Sequence, residues 1–238
     1  MKTPETAMVL AAGLGTRMRP LTNDRPKALV AVNGRALIDH VLDRLVEAGV
    51  KRAVVNVHAF ADMLEDHLAQ RRDIEIAISD ERAQLMETGG GIMQALPLLG
   101  DKPFVVTNID SIWTENAGSA IARLAAGFDE GAMGARLLLA DMNQLLGFDG
   151  AGDFHLAADG RIAHRGDDAS AEWAYTGVQI IDPKIMAGEP VEPFGFFRVW
   201  KREMDQGRLY GAPLNGYWMH VGDPHARQAA EARLAPAA

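Results

Sequence analysis

The chain has 238 residues, 48% apolar and 24% charged, the profile of a soluble globular protein with one large domain or two small ones. It contains no cysteine, which excludes disulfide frameworks, Cys-ligated zinc, iron–sulfur centres and cysteine nucleophiles. With 24 basic and 32 acidic residues the net charge is −8 and there is no long Lys/Arg block, so nucleic acid is not an expected partner.

The first half alternates strand-like and helix-like segments. Ala7–Ala12 is a short apolar run ending in glycine, as buried parallel strands are. Ala36–Ala48 has helical apolar spacing and Gly49 as its stop. Ala53–Val57 reads as a strand. Phe60–Gln70 reads as a helix with Phe60, Met63, Leu64 and Leu68 on one face, and Ile74–Ser79 as a strand. Gly91–Leu99 reads as a short helix opened by glycines, Phe104–Ile109 as a strand and Ala117–Ala126 as a helix. This order requires a mostly parallel sheet covered on both faces. Farther on, Ala135–Ala140, Phe154–Ala157, Arg161–His164 and Ala174–Ile181 are strand candidates, with hairpin turn chemistry at Ala158-Asp159-Gly160. Phe194–Gln206 reads as a helix, Leu209–Leu214 and Tyr217–Val221 as strands, and Asp223-Pro224 as a helix start.

No composition break divides the chain. A single α/β domain over 1–238 is expected, Rossmann-like, with a mixed, mostly parallel sheet and helices on both faces. The apolar run near Ala7 is too short for an export signal, and no stretch approaches the roughly 20 apolar residues of a membrane span. A cytoplasmic location and no membrane partner are therefore expected.

The segment richest in chemistry is Leu10–Lys27. A buried strand runs into Gly13 and Gly15, then Thr16, Arg17 and Arg19, and a turn-rich stretch leads to Pro26-Lys27. In open α/β sheets, ligands bind beyond the carboxyl ends of the strands. Glycines there let backbone N–H groups approach a phosphate, and Arg and Lys neutralise it. Met18 stands where a dinucleotide fingerprint needs glycine, and no Gly-Lys-Ser/Thr of a Walker A loop follows.

This segment, Gly13-Leu14-Gly15-Thr16-Arg17-Met18-Arg19-Pro20-Leu21-Thr22 with Pro26-Lys27, resembles the signature of sugar-1-phosphate nucleotidylyltransferases. The resemblance continues through Glu87-Thr88-Gly89-Gly90-Gly91, Asn108-Ile109-Asp110 and Trp218-Met219-His220-Val221-Gly222. The compact length, the Glu87–Gly91 string and Gln94–Gly100 are most similar to the N-acetylmuramate-1-phosphate uridylyltransferases of cell-wall recycling.

The resemblance implies the fold of the nucleotide-diphospho-sugar transferases, with a nucleotide-binding half at about 1–115 and a sugar-binding half at about 116–238. It implies in-line attack of a sugar-1-phosphate oxygen on the α-phosphorus of a nucleoside triphosphate, with pyrophosphate leaving. Such a transfer needs positioning and charge neutralisation rather than a protein nucleophile. By resemblance, Ala11, Ala12 and Gly13 line the base, and Gly15, Thr16 and Arg17 the triphosphate. Lys27 meets the phosphates near the breaking bond and Arg17 stabilises the departing pyrophosphate. Glu81, Thr88, Gly89 and Gly90 lie in the base-recognition region, and Glu172, Thr176 and Gly177 in the sugar-contacting one. Asp110 takes the place of a ligand for Mg²⁺, with Mn²⁺ as the alternative ion. A nucleoside triphosphate and a sugar 1-phosphate are the implied partners, and the chain is expected as monomer or dimer.

Three departures stand out. Ile109 replaces the usual glycine of the Asn-Gly-Asp motif. His220 occupies the position of the second metal carboxylate and is the second candidate at the metal, expected to touch it weakly, through a water, or not at all. The Glu-x-Lys-Pro segment that contacts the sugar phosphate in many members is missing. The alternatives are a mannose-1-phosphate guanylyltransferase and, in another class, a non-catalytic nucleotide-binding regulator, which His220 favours. For the carboxylate of a muramate acceptor, Arg136, Arg161 and Arg165 are unranked candidates.

Overall fold

A computed structural model describes residues 1–235. In chain order the elements are β1 (Thr6–Leu10), β2 (Ala31–Val32), β3 (Arg35–Ala36), α1 (Leu37–Ala48), β4 (Arg52–Val57), α2 (Ala61–Leu68), β5 (Glu75–Asp80), α3 (Glu87–Leu99), β6 (Phe104–Asn108) and β7 (Ser111–Trp113). They continue with α4 (Ala120–Ala126), β8 (Ala135–Asp141), β9 (Leu145–Leu146), β10 (Phe154–Leu156), β11 (Ile162–His164), β12 (Trp173–Ile181), α5 (Phe197–Asp205), β13 (Leu209–Pro213), β14 (Trp218–His220) and α6 (Pro224–Leu234).

Nine strands form one sheet, in the order β11-β10-β12-β6-β1-β4-β5, with β8 joined to β12 and β13 to β8. The strands β6, β1, β4 and β5 are mutually parallel, so their carboxyl ends meet at one edge. The strand β12 enters antiparallel to β6. Alternate residues of β6 feed two cores: Val105 belongs to the one that includes Leu42 and Leu124, Val106 to the one that includes Ile92 and Val199. The expected α/β architecture with helices on both faces is what the chain forms. A smaller sheet, β7-β14-β9, hangs beyond the end of β6 and positions His220 opposite Ser111.

Several local expectations are corrected. In α2 the buried stripe is Ala61, Leu64 and Leu68, while Phe60 and Met63 are exposed. Phe60 is the left-handed N-cap, φ 54°, so it stands outside the helical register that the apolar spacing assumed. The helix α3 starts at Glu87 rather than Gly91, and its glycines lie inside the first turn. Tertiary partners hold that turn. Glu81 accepts from the Met86 N–H, and the Phe194 carbonyl accepts from the Gly89 and Gly90 N–H groups that a helix start leaves unpaired. For the same reason Phe194–Phe196 stays outside α5, which begins at Phe197. The hairpin β2–β3 was absent from the sequence reading, although its turn, Asn33-Gly34 with both φ positive, carries the residue pair such turns require.

Candidate active site

A cavity of about 270 Å³ opens at the carboxyl ends of β1, β4, β5 and β6. Its wall includes Ala12, Gly13, Gly15, Thr16 and Arg17 from the loop after β1, together with Lys27, Asn56, Glu81, Thr88 and Asp110. Residues expected to act together from distant parts of the sequence thus border one space.

The loop after β1 is shaped by its own bonds. Gly15 adopts φ +61° and caps a 3-10 turn over Thr16–Met18. Its carbonyl accepts from Thr22 Oγ1 at 2.8 Å and from the Met18 N–H at 2.9 Å. A Cβ on Gly15 would stand 2.9 Å from Lys27 Cβ, so the close approach of the two segments requires glycine. Met18 is fully buried and anchors the turn, leaving Arg17 exposed. Arg17 makes no ion pair among the described residues.

Asn56 was missed by the sequence reading. Its Oδ1 accepts from the N–H groups of Ala11 (2.6 Å) and Ala12 (3.2 Å), and its Nδ2 donates to Glu81 Oε1 at 2.7 Å. Glu81 Oε2 in turn accepts from the Met86 N–H at 3.0 Å. Glu81 is only 1% exposed. Its carboxylate, expected at the base, is first of all the buried tie between β4, β5 and α3. The signal in the sequence was an asparagine within the apolar strand Arg52–Val57. A buried amide persists there only because it is fully bonded.

Across the cavity Lys27 Nζ lies 2.7 Å from Asp110 Oδ2, and His220 Nε2 lies 3.4 Å from the same oxygen. The Gly147 carbonyl is 3.0 Å from His220 Nδ1. A carbonyl and a carboxylate both only accept, so the two contacts are both bonds only with a hydrogen on each ring nitrogen. Trp218 stacks on the imidazole. Burial pushes the Asp110 pKa up, but the bond to His220 and the charge of Lys27 outweigh it and hold the carboxyl well below the usual carboxylate range. Asp110 is therefore ionised at neutral pH, and its Oδ1 has no partner among the described residues.

The remaining expected residues lie around this core. Thr88 lines the cavity, but its Oγ1 accepts from the Phe196 N–H at 2.9 Å. Gly89 and Gly90 are buried beneath Phe194 and the Glu192 carbonyl instead of bordering the cavity. Thr176 is buried, with Oγ1 donating to the Leu138 carbonyl at 2.9 Å. Thr176 and Gly177 fall where the β12–β8 register shifts, between Tyr175 and Gln179. Gly177 has φ +83°, and a Cβ there would meet the Asn108 side chain at 2.9 Å. Glu172 stands away from the cavity, exposed, 2.8 Å from His155 Nδ1, with Asp168 Oδ2 at 3.1 Å from Nε2. Arg136 is turned inward, donating to the Leu124 carbonyl, and Arg161 pairs with Asp159.

This arrangement can hold a polyanion between a glycine-shaped loop and two cations. It offers one ionised carboxylate as a hard oxygen ligand. Among the described residues no three His, Asp or Glu side chains group as a ready-made metal cage, and no helix is long and apolar enough to cross a membrane.

Comparison with known proteins agrees in sequence and in fold. Residues 6–143 match the family model described as "Nucleotidyl transferase". The chain is 56% identical to the N-acetylmuramate alpha-1-phosphate uridylyltransferase of Caulobacter vibrioides, over 98% of both chains. It is 36% identical to the enzyme of that name from Neisseria meningitidis, over 91% of this chain and 92% of that one. In fold it is similar to the UDP-glucose pyrophosphorylase from Acinetobacter baumanii, with a TM-score of 0.80 and 18% identity over 96% of this chain and 92% of that one.

Proposed function

The chain belongs to the nucleotidyl transferase family and is a nucleotidyltransferase, and from that premise we propose that it transfers the uridylyl group of UTP to N-acetylmuramate 1-phosphate, releasing pyrophosphate. The observation that carries this reading is the single cavity in which the Gly13–Arg17 loop and Lys27 face Asp110. The 56% identity to the Caulobacter uridylyltransferase supports the choice of base and sugar.

In this reading the loop Gly13–Arg17 receives the triphosphate, and the ends of β6 and β12 receive the sugar phosphate. Lys27 stabilises charge on the α-phosphoryl oxygens, and Arg17 the charge that grows on the departing pyrophosphate. The attacking atom is an oxygen of an already ionised phosphate, so no protein base is required. The Ala11–Asn56–Glu81 bonds hold the loop in place for it.

A divalent ion, Mg²⁺ with Mn²⁺ as the alternative, fits the donor set. Asp110 offers an ionised carboxylate whose Oδ1 has no partner among the described residues, and Mg²⁺ is commonly held by one or two carboxylates plus substrate phosphates. When bound it would supply charge neutralisation at the phosphates. His220 is already engaged with Gly147 and faces Asp110, so its role is to hold that carboxylate. We infer one working domain, whose N-terminal half takes the nucleotide and whose C-terminal half takes the sugar. A place in cell-wall recycling inside the cytoplasm follows from the substrate.

A pyrophosphate-release screen of four nucleoside triphosphates against several sugar 1-phosphates, with Mg²⁺, tests the proposal. Turnover with UTP and N-acetylmuramate 1-phosphate is expected. Turnover with GTP and mannose 1-phosphate alone refutes it.

A further inference from the structure

The segment between the Pro183–Met186 turn and α5 folds away from its own helix and binds the first turn of α3. The Phe194 N–H donates to the Met86 carbonyl at 3.2 Å. The Phe194 carbonyl accepts from the Gly89 N–H at 2.8 Å and the Gly90 N–H at 3.3 Å, and the Phe196 N–H donates to Thr88 Oγ1 at 2.9 Å. The Phe194 ring fills the space a Gly89 side chain would need, with the nearest ring carbon 2.1 Å from the Cβ position. The strap is anchored at its other side. Glu189 pairs with Arg198 at 2.6 Å and Arg202 at 2.5 Å, and the Arg198 guanidinium lies 3.5 Å from the centre of the Phe194 ring.

The residue enclosed by these bonds is Glu87. It lines the cavity and adopts φ 59°, a left-handed conformation that a non-glycine residue holds only when its surroundings over-determine it. The strap bonds Met86 on one side and Thr88 on the other. Of the four bonds, one falls on the residue before Glu87, one on Thr88 and two on Gly89 and Gly90, so they bracket the two residues presented to the cavity.

We propose that the strap Glu189–Phe196, acting through Phe194, is a positioning element of the nucleotide site: it sets Glu87 and Thr88 in the conformation that receives the nucleoside triphosphate. It belongs to the half of the chain that supplies the sugar-binding strands, so the nucleotide wall is completed from the far end of the sequence. The glycines at 89 and 90 are read as the strap's seat rather than as ligand contacts. This inference rests on the proposed UTP-binding role of the cavity.

The test compares wild type, Gly89→Ala, Phe194→Leu and the double variant Gly89→Ala/Phe194→Ala, by steady-state kinetics and by calorimetric titration with UTP. Gly89→Ala puts a methyl group into the Phe194 ring and displaces the strap. It should raise the KM and the Kd for UTP on the order of tenfold, with kcat and the KM for the acceptor within about twofold. Removing the ring in the double variant clears the clash, and most of the UTP affinity should return. Phe194→Leu keeps an apolar side chain on an unobstructed Gly89 and should stay within about threefold of wild type. A UTP Kd unchanged in Gly89→Ala overturns the proposal, as does a loss of kcat and both affinities together that the double variant does not relieve. Binding needs no acceptor, so a wild type that binds UTP but forms no product refutes the activity and still tests the strap. A wild type that does not bind UTP overturns both.

Discussion

Replacing Lys27 by Met keeps the side-chain stem that packs on Gly15 and removes the charge that faces Asp110. The Lys27 residue is 7% exposed and its ammonium sits 2.7 Å from the carboxylate, so this is a nearly buried pair. Breaking such a pair by removing one partner costs about 3–5 kcal/mol. His220 stays at 3.4 Å and Asp110 keeps some solvent contact, which brings the expected loss to about 2–3 kcal/mol. For a chain of this size that is a fall in Tm of about 5–10 °C. The sign of the pH dependence follows from Asp110. Its folded pKa is depressed, so its stabilising contribution is complete above the ordinary carboxylate value of about 3.9 and is lost as pH falls through the lower folded value. Without Lys27 the carboxylate is left short of a partner only while ionised. The gap between wild type and variant is therefore full at pH 7 and narrows below about pH 4. Activity falls for a separate reason. Loss of one charge-stabilising donor lowers kcat/KM by about 10²–10³, or about 3–4 kcal/mol. Thermal melts from pH 3 to pH 8, with pyrophosphate-release kinetics, read both effects. A variant that melts within 1 °C of wild type at pH 7 refutes the buried-pair argument, and one that keeps full activity removes Lys27 from the phosphates.

Arg17→Ala should lower kcat/KM by a similar factor of about 10²–10³ yet leave the melt unchanged, because Arg17 is exposed and makes no ion pair among the described residues; a comparable fall in Tm shows instead a structural arginine. Asp110→Ala should nearly abolish turnover at every Mg²⁺ concentration, while His220→Asp retains turnover and tightens the metal dependence, both read from activity against metal concentration. Gly177→Ala forces a side chain into the left-handed region and onto Asn108, and should cost about 1–3 kcal/mol, seen as a lower denaturant midpoint. The hydrogen bond that His155 donates to Glu172, with the one it donates to Asp168, raises the His155 pKa; an NMR titration should find it above the ordinary value of about 6.5 and moved back toward it in Glu172→Gln, whereas no difference between the two proteins refutes the pairing.

The amino-acid sequence alone made legible whatever rests on local chemistry. The run into Gly13 and Gly15 specifies a strand and a tight turn, and Asp223-Pro224 specifies a helix start whose aspartate does accept from the Ala226 N–H. The alternation of strands and helices specifies a covered, mostly parallel sheet. Identifying Arg17, Lys27 and Asp110 as one group depended on resemblance, because the residues lie far apart along the chain. What only the tertiary structure decided is where polar groups find partners. Glu81 and a loop glutamate look alike in sequence, and burial against Asn56 and Met86 tells them apart. The glycines at 89–91 argue against a helix by propensity, yet α3 includes them because Phe194, more than a hundred positions later, satisfies the N–H groups of Gly89 and Gly90. Phe60 and Met63 fit an apolar face by spacing, but Phe60 is a left-handed cap outside the helical register, and only Leu64 and Leu68 of that face are buried. Propensity and periodicity act over a few residues, whereas a hydrogen-bond partner or a packing surface can come from anywhere the chain returns, and only the folded chain brings the two together.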